Sequence, residues 1–184
     1  MILFINACVR DDSRTLRLAK DFLASYGRDE SITAVELQSQ GLSPLDGEKL
    51  SAREKFIAQG NYDNEMFEHA KLFSGAEKIV IAAPYWDYSF PALLKIYIEQ
   101  LCVMGLTFTY SDEGVPVSLC RLEELVYITT AGGFIPERNY GYDYVREVFT
   151  GFFGAKKCRY IKAEGLDIIG SDPDEILSLA EKDF

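Results

Sequence analysis

The sequence has a single histidine, His69, and four cysteines that lie far apart. One histidine argues against a histidine-based metal site and against a Ser-His-Asp triad. Because the residues around it have helical spacing, we interpret His69 as an ordinary surface or half-buried residue. The cysteines form no CxxC pair, which argues against a structural zinc site or a disulfide framework and favours a reducing, cytoplasmic location. They are Cys8, Cys102, Cys120 and Cys158.

Positive charge is also scarce. The chain has 19 Lys and Arg against 29 Asp and Glu, a net charge of −10. Proteins that bind nucleic acid or anionic membranes carry basic patches, so we expect neither partner. No apolar run approaches the roughly 20 residues of a transmembrane helix. The apolar start, MILFINA, has no basic residues before it and no cleavage site after it, so it predicts a buried strand rather than a signal peptide.

The 184 residues, 48% of them hydrophobic and 26% charged, predict one globular domain over 1–184. Continuously apolar runs alternate with amphipathic helices, which is the pattern of a parallel sheet covered on both faces. We therefore predict an α/β fold, a three-layer α/β/α sandwich around a five-stranded parallel sheet. The predicted strands are 1–7, 32–37, 78–83, 125–130 and 157–163, with a short extended piece at 106–110. The predicted helices are 13–27, 46–59, 62–74, 91–104, 141–152 and one that starts near 172.

Ligands of open parallel sheets bind beyond the carboxyl ends of the strands, where three loops have unusual compositions. The first, 7–15, leads into a helix whose free N–H groups and dipole suit a phosphate. Ser13 and Thr15 add hydroxyl groups there, and Arg10 and Arg14 add positive charge. The alternative is that Ser13 only caps the helix. The loop is not glycine-rich, so it is neither a P-loop nor a GxGxxG dinucleotide site.

The same loop has the spacing Cys8-x5-Arg14, followed by Thr, of the phosphate-binding loop of tyrosine phosphatases. Asp172, followed by Pro, matches the general acid of the low-molecular-weight class. A phosphatase that uses Cys8 and Arg14 is therefore a weaker alternative. Two carboxylates within the loop, Asp11 and Asp12, oppose the lowered thiol pKa that such a nucleophile needs. We prefer a buried Cys8 and an Asp172 that caps a helix with Pro at its first position.

The second loop, 83–91, reads APYWDYSFP and has three large rings within four residues. Because such rings are costly to leave in water, they either pack in the core or form a wall against a flat, conjugated ligand. The third loop starts at 130 and reads TAGGFIP. Its two glycines either let the backbone approach a ligand closely or simply make a turn.

A family resemblance lies in two longer segments, 83–110 and 144–166. They read APYWDYSFPALLKIYIEQLCVMGLTFTY and YVREVFTGFFGAKKCRYIKAEGL. Both resemble the FMN-dependent NADH azoreductase and NAD(P)H:quinone oxidoreductase family, a branch of the flavodoxin-like fold. The GxTFxY pattern at 105–110 is fairly specific, and the order of motifs agrees along nearly the whole chain.

The resemblance implies tightly bound FMN and a ping-pong transfer of hydride from NADH or NADPH to quinones or azo compounds. It also implies a homodimer with the active site at the subunit interface. Ser13 and Thr15 match the phosphate-binding hydroxyls of the family, with Arg10 as a cation in the same loop. The positions that match the flavin-contacting loops are Pro84, Tyr85, Trp86, Asp87, Tyr88, Thr130, Ala131, Gly132 and Gly133.

Position 87 is Asp where the family commonly has Asn. An amide can donate a hydrogen bond to a flavin carbonyl or to N5, and an ionised carboxylate cannot. Asp87 is therefore expected to be protonated, to point away from the flavin, or to shift its potential. Tyr88 is a candidate source of a proton for the reduced quinone. Ala7 stands where many relatives have Ser, which removes one phosphate contact.

Two alternatives stay open at this point. A flavin-binding electron carrier or sensor without NAD(P)H activity would share the cofactor, and the acidic surface would suit a basic redox partner. The aromatic residues near the fifth helix either supply a dimer interface or form one helix face packed on the sheet. They are Tyr140, Tyr142, Tyr144, Phe149, Phe152 and Phe153.

Overall fold

Short apolar strands run in one direction through the centre of the computed structural model, which describes residues 1–27 and 30–184. The strands of this part of the chain are β1 (Ile2–Asn6), β2 (Ile32–Glu36), β3 (Lys78–Ala82), β4 (Phe108–Tyr110), β5 (Pro116–Ser118), β6 (Glu124–Thr130) and β7 (Lys157–Ala163). Five of them form a parallel sheet in the order β2-β1-β3-β6-β7. The predicted five-stranded parallel sheet is confirmed.

Burial explains why β1, β3 and β6 occupy the centre of the sheet. Successive side chains of a strand point to opposite faces, so a strand covered on both sides must be apolar throughout. In β1, Leu3 and Ile5 belong to the core on one face, and Ile2 and Phe4 belong to the core on the other. The edge strands β2 and β7 mix buried with exposed positions.

Helices cover both faces, as the three-layer prediction requires. In the described residues they are α1 (Arg14–Ala24), α2 (Gly47–Ala58), α3 (Glu68–Ser74), α4 (Ala92–Leu101), α5 (Tyr142–Gly151) and α6 (Pro173–Ala180). The helices α1 and α6 bury apolar residues against one face, and α3, α4 and α5 against the other. No helix among the described residues is long and apolar enough to cross a membrane.

Two local predictions need correction. The stretch 62–74 is an α-helix only from Glu68, because a 3-10 turn at Glu65–Phe67 precedes it. The side chain of Asn64 caps that turn by accepting a hydrogen bond from the Met66 N–H at 3.0 Å. The extended piece at 106–110 contains the strand β4, and β4 pairs antiparallel with β5, a strand that was not predicted from the sequence. A three-residue strand that begins with proline has too little periodicity to be recognised.

The aromatic residues in and beside α5 fall into two groups. Phe149 and Phe153 are fully buried on the sheet, as expected for a helix face that packs in the core, whereas Tyr140 is 56% exposed. Both phenylalanines contact Phe73 of α3, with ring centroids 5.5 and 4.7 Å apart. His69 is half-buried, as predicted, and its ring packs against that of Tyr97 in an edge-on arrangement at 5.2 Å.

We predict that Phe149→Ala lowers the free energy of unfolding by about 3–5 kcal/mol, because it leaves a cavity between α3, α5 and the sheet. Ile169→Ala is the control, since Ile169 is fully exposed and the loss of its side chain should change stability by no more than about 0.5 kcal/mol. Urea unfolding followed by circular dichroism measures both. Equal losses in the two variants would contradict the assignment of Phe149 to the core.

Candidate functional site

The loops at the carboxyl edge of the sheet surround a cavity of about 570 Å³. Small-molecule sites typically have volumes of roughly 300–1,000 Å³. All three loops singled out in the sequence contribute to the lining, and so does a fourth loop that follows β7. The lining residues are Val9, Arg10, Asp12, Ser13, Arg14, Thr15, Pro84, Tyr85, Trp86, Thr130, Gly132 and Asp167.

The N-terminus of α1 forms one end of this cavity. Ser13 is the N-cap, with φ −64° and ψ 121°, and its hydroxyl accepts a hydrogen bond from the Leu16 N–H at 3.2 Å. The structure thus confirms that Ser13 caps α1. A hydroxyl that accepts one bond still has its own hydrogen to donate. The first amides of the helix, together with the positive end of its dipole, make this end attractive to an anion.

A buried pair of threonines joins the first loop to the third. The hydroxyls of Thr15 and Thr130 lie 2.6 Å apart, and both residues are buried. Only one of the two hydrogens is used between them, so the other hydroxyl can still donate to a ligand. The Thr130 carbonyl also accepts a hydrogen bond from the Tyr85 N–H at 3.0 Å. Three residues predicted from separate loops are thus held together at one point.

The aromatic loop contains a tight two-residue turn. Trp86 and Ser89 exchange backbone hydrogen bonds of 3.1 and 2.7 Å, and the residues between them, Asp87 and Tyr88, have φ of 50° and 66°. This is the geometry of a type I′ turn, in which both central residues are left-handed. Tyr85 and Trp86 line the cavity, whereas Asp87 and Tyr88 stand at the exposed tip, outside the lining.

The two adjacent glycines of the third loop, Gly132 and Gly133, have different surroundings. A Cβ on Gly132 would lie 2.2 Å from an Asp167 carboxylate oxygen, so this glycine makes room for that side chain. A Cβ on Gly133 would meet open space. Ala131 is buried and, like Gly133, is outside the cavity lining. Of this loop, Thr130 and Gly132 therefore face the cavity directly.

Charged groups of both signs meet at the cavity mouth. Arg14 donates to the Asp167 carboxylate at 2.9 Å and to the Leu166 carbonyl at 3.4 Å, while Arg10 is exposed. The sequence does not predict Asp167, and it predicts an Asp12 that opposes phosphatase chemistry and faces solvent, whereas the structure places Asp12 in the cavity lining. One signal was available for Asp167: it follows a correctly predicted strand, β7, whose carboxyl end must lie at the same edge.

Cys8 does not have the properties of a nucleophile. Its side chain is 6% exposed and contacts the Ala82 carbonyl at 3.7 Å. Burial raises the pKa of the Cys8 thiol to about 11, and the contact with Ser13 offsets only part of this. Asp172 caps α6, as predicted, because its carboxylate accepts hydrogen bonds from the Asp174 and Glu175 N–H groups. The phosphatase alternative therefore lacks its thiolate.

We predict that alkylation of Cys8 by iodoacetamide is negligible at pH 7–8 in the folded protein and accelerates only as the pH approaches 11, because the thiolate is the reactive form. In urea the same residue should react near pH 8.5, the ordinary thiol pKa. Mass spectrometry of the peptide that contains Cys8 measures both rates. Rapid labelling of the folded protein at pH 7 would contradict this description of Cys8.

The relatives with similar sequences are named as FMN-dependent oxidoreductases. A protein of Clostridium acetobutylicum named FMN-dependent NADH:quinone oxidoreductase 2 is 36% identical over 186 aligned residues, covering 96% of this chain and 92% of that protein. A Clostridium beijerinckii protein named FMN-dependent NADH:quinone oxidoreductase is 33% identical, with 97% and 93% coverage.

Solved structures with a similar fold include an azoreductase. The crystal structure of an azoreductase from Bacillus anthracis superimposes with a TM-score of 0.84 at 25% identity, covering 98% of this chain and 94% of that one. The family model described as flavodoxin-like fold matches residues 1–184. The chain therefore belongs to the flavodoxin-like fold family, in the group that includes the FMN-dependent NADH:quinone oxidoreductases.

Proposed function

We propose that this chain is an FMN-dependent oxidoreductase that passes reducing equivalents from NADH to a quinone or azo acceptor. The observation that carries the proposal is one cavity whose lining combines an anion-attracting helix N-terminus with aromatic side chains. The names of the relatives from Clostridium and the B. anthracis azoreductase support the same reaction. NADPH stays an alternative donor.

The residues at the α1 end fit the phosphate of FMN. Ser13 has a hydroxyl hydrogen to donate, and Thr15 or Thr130 has a second. Arg10 adds an exposed guanidinium in the cavity lining. Hydrogen bonds from hydroxyl groups, amides and guanidinium groups to a phosphate are charge-assisted and are stronger than neutral ones.

The residues of the aromatic loop fit a flat ring system. Pro84, Tyr85 and Trp86 line the cavity with apolar and aromatic surface. The Tyr85 hydroxyl is shielded from solvent and has no hydrogen-bond partner among the described residues. A shielded hydroxyl without a partner is costly, so a ligand or water that bonds to it would be favoured.

The chemistry divides between the cofactor and the protein. When bound, FMN would supply the hydride acceptor and donor, and the protein would supply position and electrostatics. The residues at the start of α1 would hold the phosphate, those of the aromatic loop would contact the ring, and Asp87 and Tyr88 at the exposed tip would be available to an acceptor. The Tyr88 hydroxyl is the side chain we propose for delivering a proton to the acceptor.

The proposal is tested first by the visible absorption spectrum of the protein purified without added cofactor, with the released chromophore identified. FMN in the protein together with steady-state NADH oxidation by a small quinone is the expected result. FMN without turnover would favour the electron carrier or sensor, whose docking the net charge of −10 would suit. A colourless protein that takes up no FMN would overturn the proposal.

We expect Ser13→Ala to raise the Kd for FMN about ten-fold or more, because one charge-assisted hydrogen bond is lost. The variant also loses its helix cap, at about 1 kcal/mol of stability. Asp172→Ala is the matched control, since it removes the cap of α6 outside the cavity. Fluorescence titration should show an unchanged Kd in that variant. An equal loss of affinity in both variants would mean that stability, rather than contact, explains the Ser13 result.

We also propose a homodimer with the site at the subunit interface. Large apolar side chains are exposed on the loops that surround the cavity: Val9, Trp86, Tyr88, Phe134 and Tyr140. Exposed apolar surface of this kind, rimmed by polar residues, is typical of interaction sites. A cytoplasmic location belongs to the same proposal, supported by four free cysteines, Cys8, Cys102, Cys120 and Cys158.

The dimer proposal predicts a sedimentation mass of twice the chain mass of 20.8 kDa. Phe134→Asp should shift the protein towards the monomer, because it buries a charge in the proposed interface. Leu179→Asp is the control, since Leu179 is 52% exposed on α6, away from the cavity. Analytical ultracentrifugation at several concentrations measures all three proteins. A wild-type protein that stays monomeric at micromolar concentration would contradict the proposal.

A further inference from the structure

Backbone hydrogen bonds fix the position of Asp167. Its N–H donates to the Gly132 carbonyl at 2.9 Å, and the N–H of Gly165, two residues earlier, donates to the Gly133 carbonyl at 2.9 Å. The absence of a side chain on Gly132 leaves space for the Asp167 carboxylate. From there the carboxylate reaches Arg14 at 2.9 Å, across the end of the cavity formed by α1.

We propose that Asp167 sets the affinity and the flavin preference of the site by occupying Arg14 in place of the cofactor's phosphate. FMN must then compete with an internal carboxylate for Arg14, whereas a flavin without a phosphate does not. This inference rests on the proposed function, because it assumes that the cavity binds a flavin.

The charges at the cavity explain why this competition matters. Among the described lining residues, the cations are Arg10 and Arg14 and the carboxylates are Asp12 and Asp167, so the formal charges cancel. A phosphate that approaches α1 therefore meets no net positive charge from side chains. Removal of the Asp167 charge frees Arg14 and leaves the cavity lining net positive, which favours a phosphate ester over its uncharged alcohol.

A neighbouring ion pair provides a matched comparison. Arg17, one turn further along α1, pairs with Asp174 at 2.6 Å. Both pairs join α1 to the C-terminal segment, and in both the carboxylate is more exposed than the guanidinium. Neither Arg17 nor Asp174 lines the cavity. Loss of the second pair therefore removes a similar surface contact without altering the charge of the site.

The experiment compares wild type, Asp167→Asn and Asp174→Asn, with FMN and riboflavin titrated separately and binding read from flavin fluorescence. The Kd for FMN is expected to fall about five-fold in Asp167→Asn, the upper range for an exposed ion pair. The Kd for riboflavin should stay within about two-fold, and Asp174→Asn should change neither Kd. In Arg14→Gln the further substitution Asp167→Asn should lower the Kd for FMN less than it does in wild type, because it removes a negative charge but frees no guanidinium.

An FMN Kd that is unchanged or raised in Asp167→Asn would overturn the inference. A fall of equal size for FMN and riboflavin would also overturn it, because a structural effect would not distinguish the phosphate. Inorganic phosphate, assayed by thermal shift, separates failure of the inference from failure of the proposed function. If no flavin binds but phosphate raises the Tm more in Asp167→Asn than in wild type, the competition for Arg14 stands and the flavin assignment fails. If phosphate also has equal effects on both proteins, the inference fails as well.

Discussion

Backbone hydrogen bonds that continue beyond the strand ends are the interaction on which the whole site depends. The Tyr85 N–H donates to the Thr130 carbonyl, and the Ala131 N–H donates to the Ala163 carbonyl. The Leu166 N–H then returns a bond to the Ala131 carbonyl. Because backbone hydrogen bonds join each loop to its neighbour, the loops keep the spacing of the strands. Side chains that are distant in sequence are therefore held close together, and their motion is restricted. A site built in this way is preorganised for its ligand.

The sequence predicted the elements and loops for which a local pattern exists. Apolar runs such as Lys78–Ala82 must be buried on both faces, so they identify the central strands, and the carboxyl ends of parallel strands must share one edge. These two constraints are enough to place Ser13, Thr15 and Trp86 near one another from residue types and their order alone. The family resemblance added the identity of the ligand, which the pattern alone did not contain.

The remaining features depend on contacts that no local pattern encodes. Asp167 reaches the site only because Gly132 lacks a side chain and the two loops pair through their backbones. The bond between Thr15 and Thr130 depends on a register between β6 and α1 that residue type does not reveal. The strand β5 exists because β4 offers it a partner, not because its own three residues favour a strand.

In an acidic protein that binds an anionic cofactor, the charges close to the binding site matter more than the net charge. The net charge of −10 is screened over a Debye length of about 8 Å at physiological salt, so distant carboxylates count for little at the site. What counts is the composition of the cavity lining itself, where the helix N-terminus, Arg10 and Arg14 face Asp12 and Asp167.

The position of Asp87 follows the same logic. Its φ of 50° belongs to the left-handed region that Asp and Asn tolerate better than other non-glycine residues, so the turn accepts either one. The Asp87 side chain stands at the exposed tip, outside the cavity lining, where water solvates it. Asp in place of Asn therefore changes the surface presented to an acceptor more than it changes the turn.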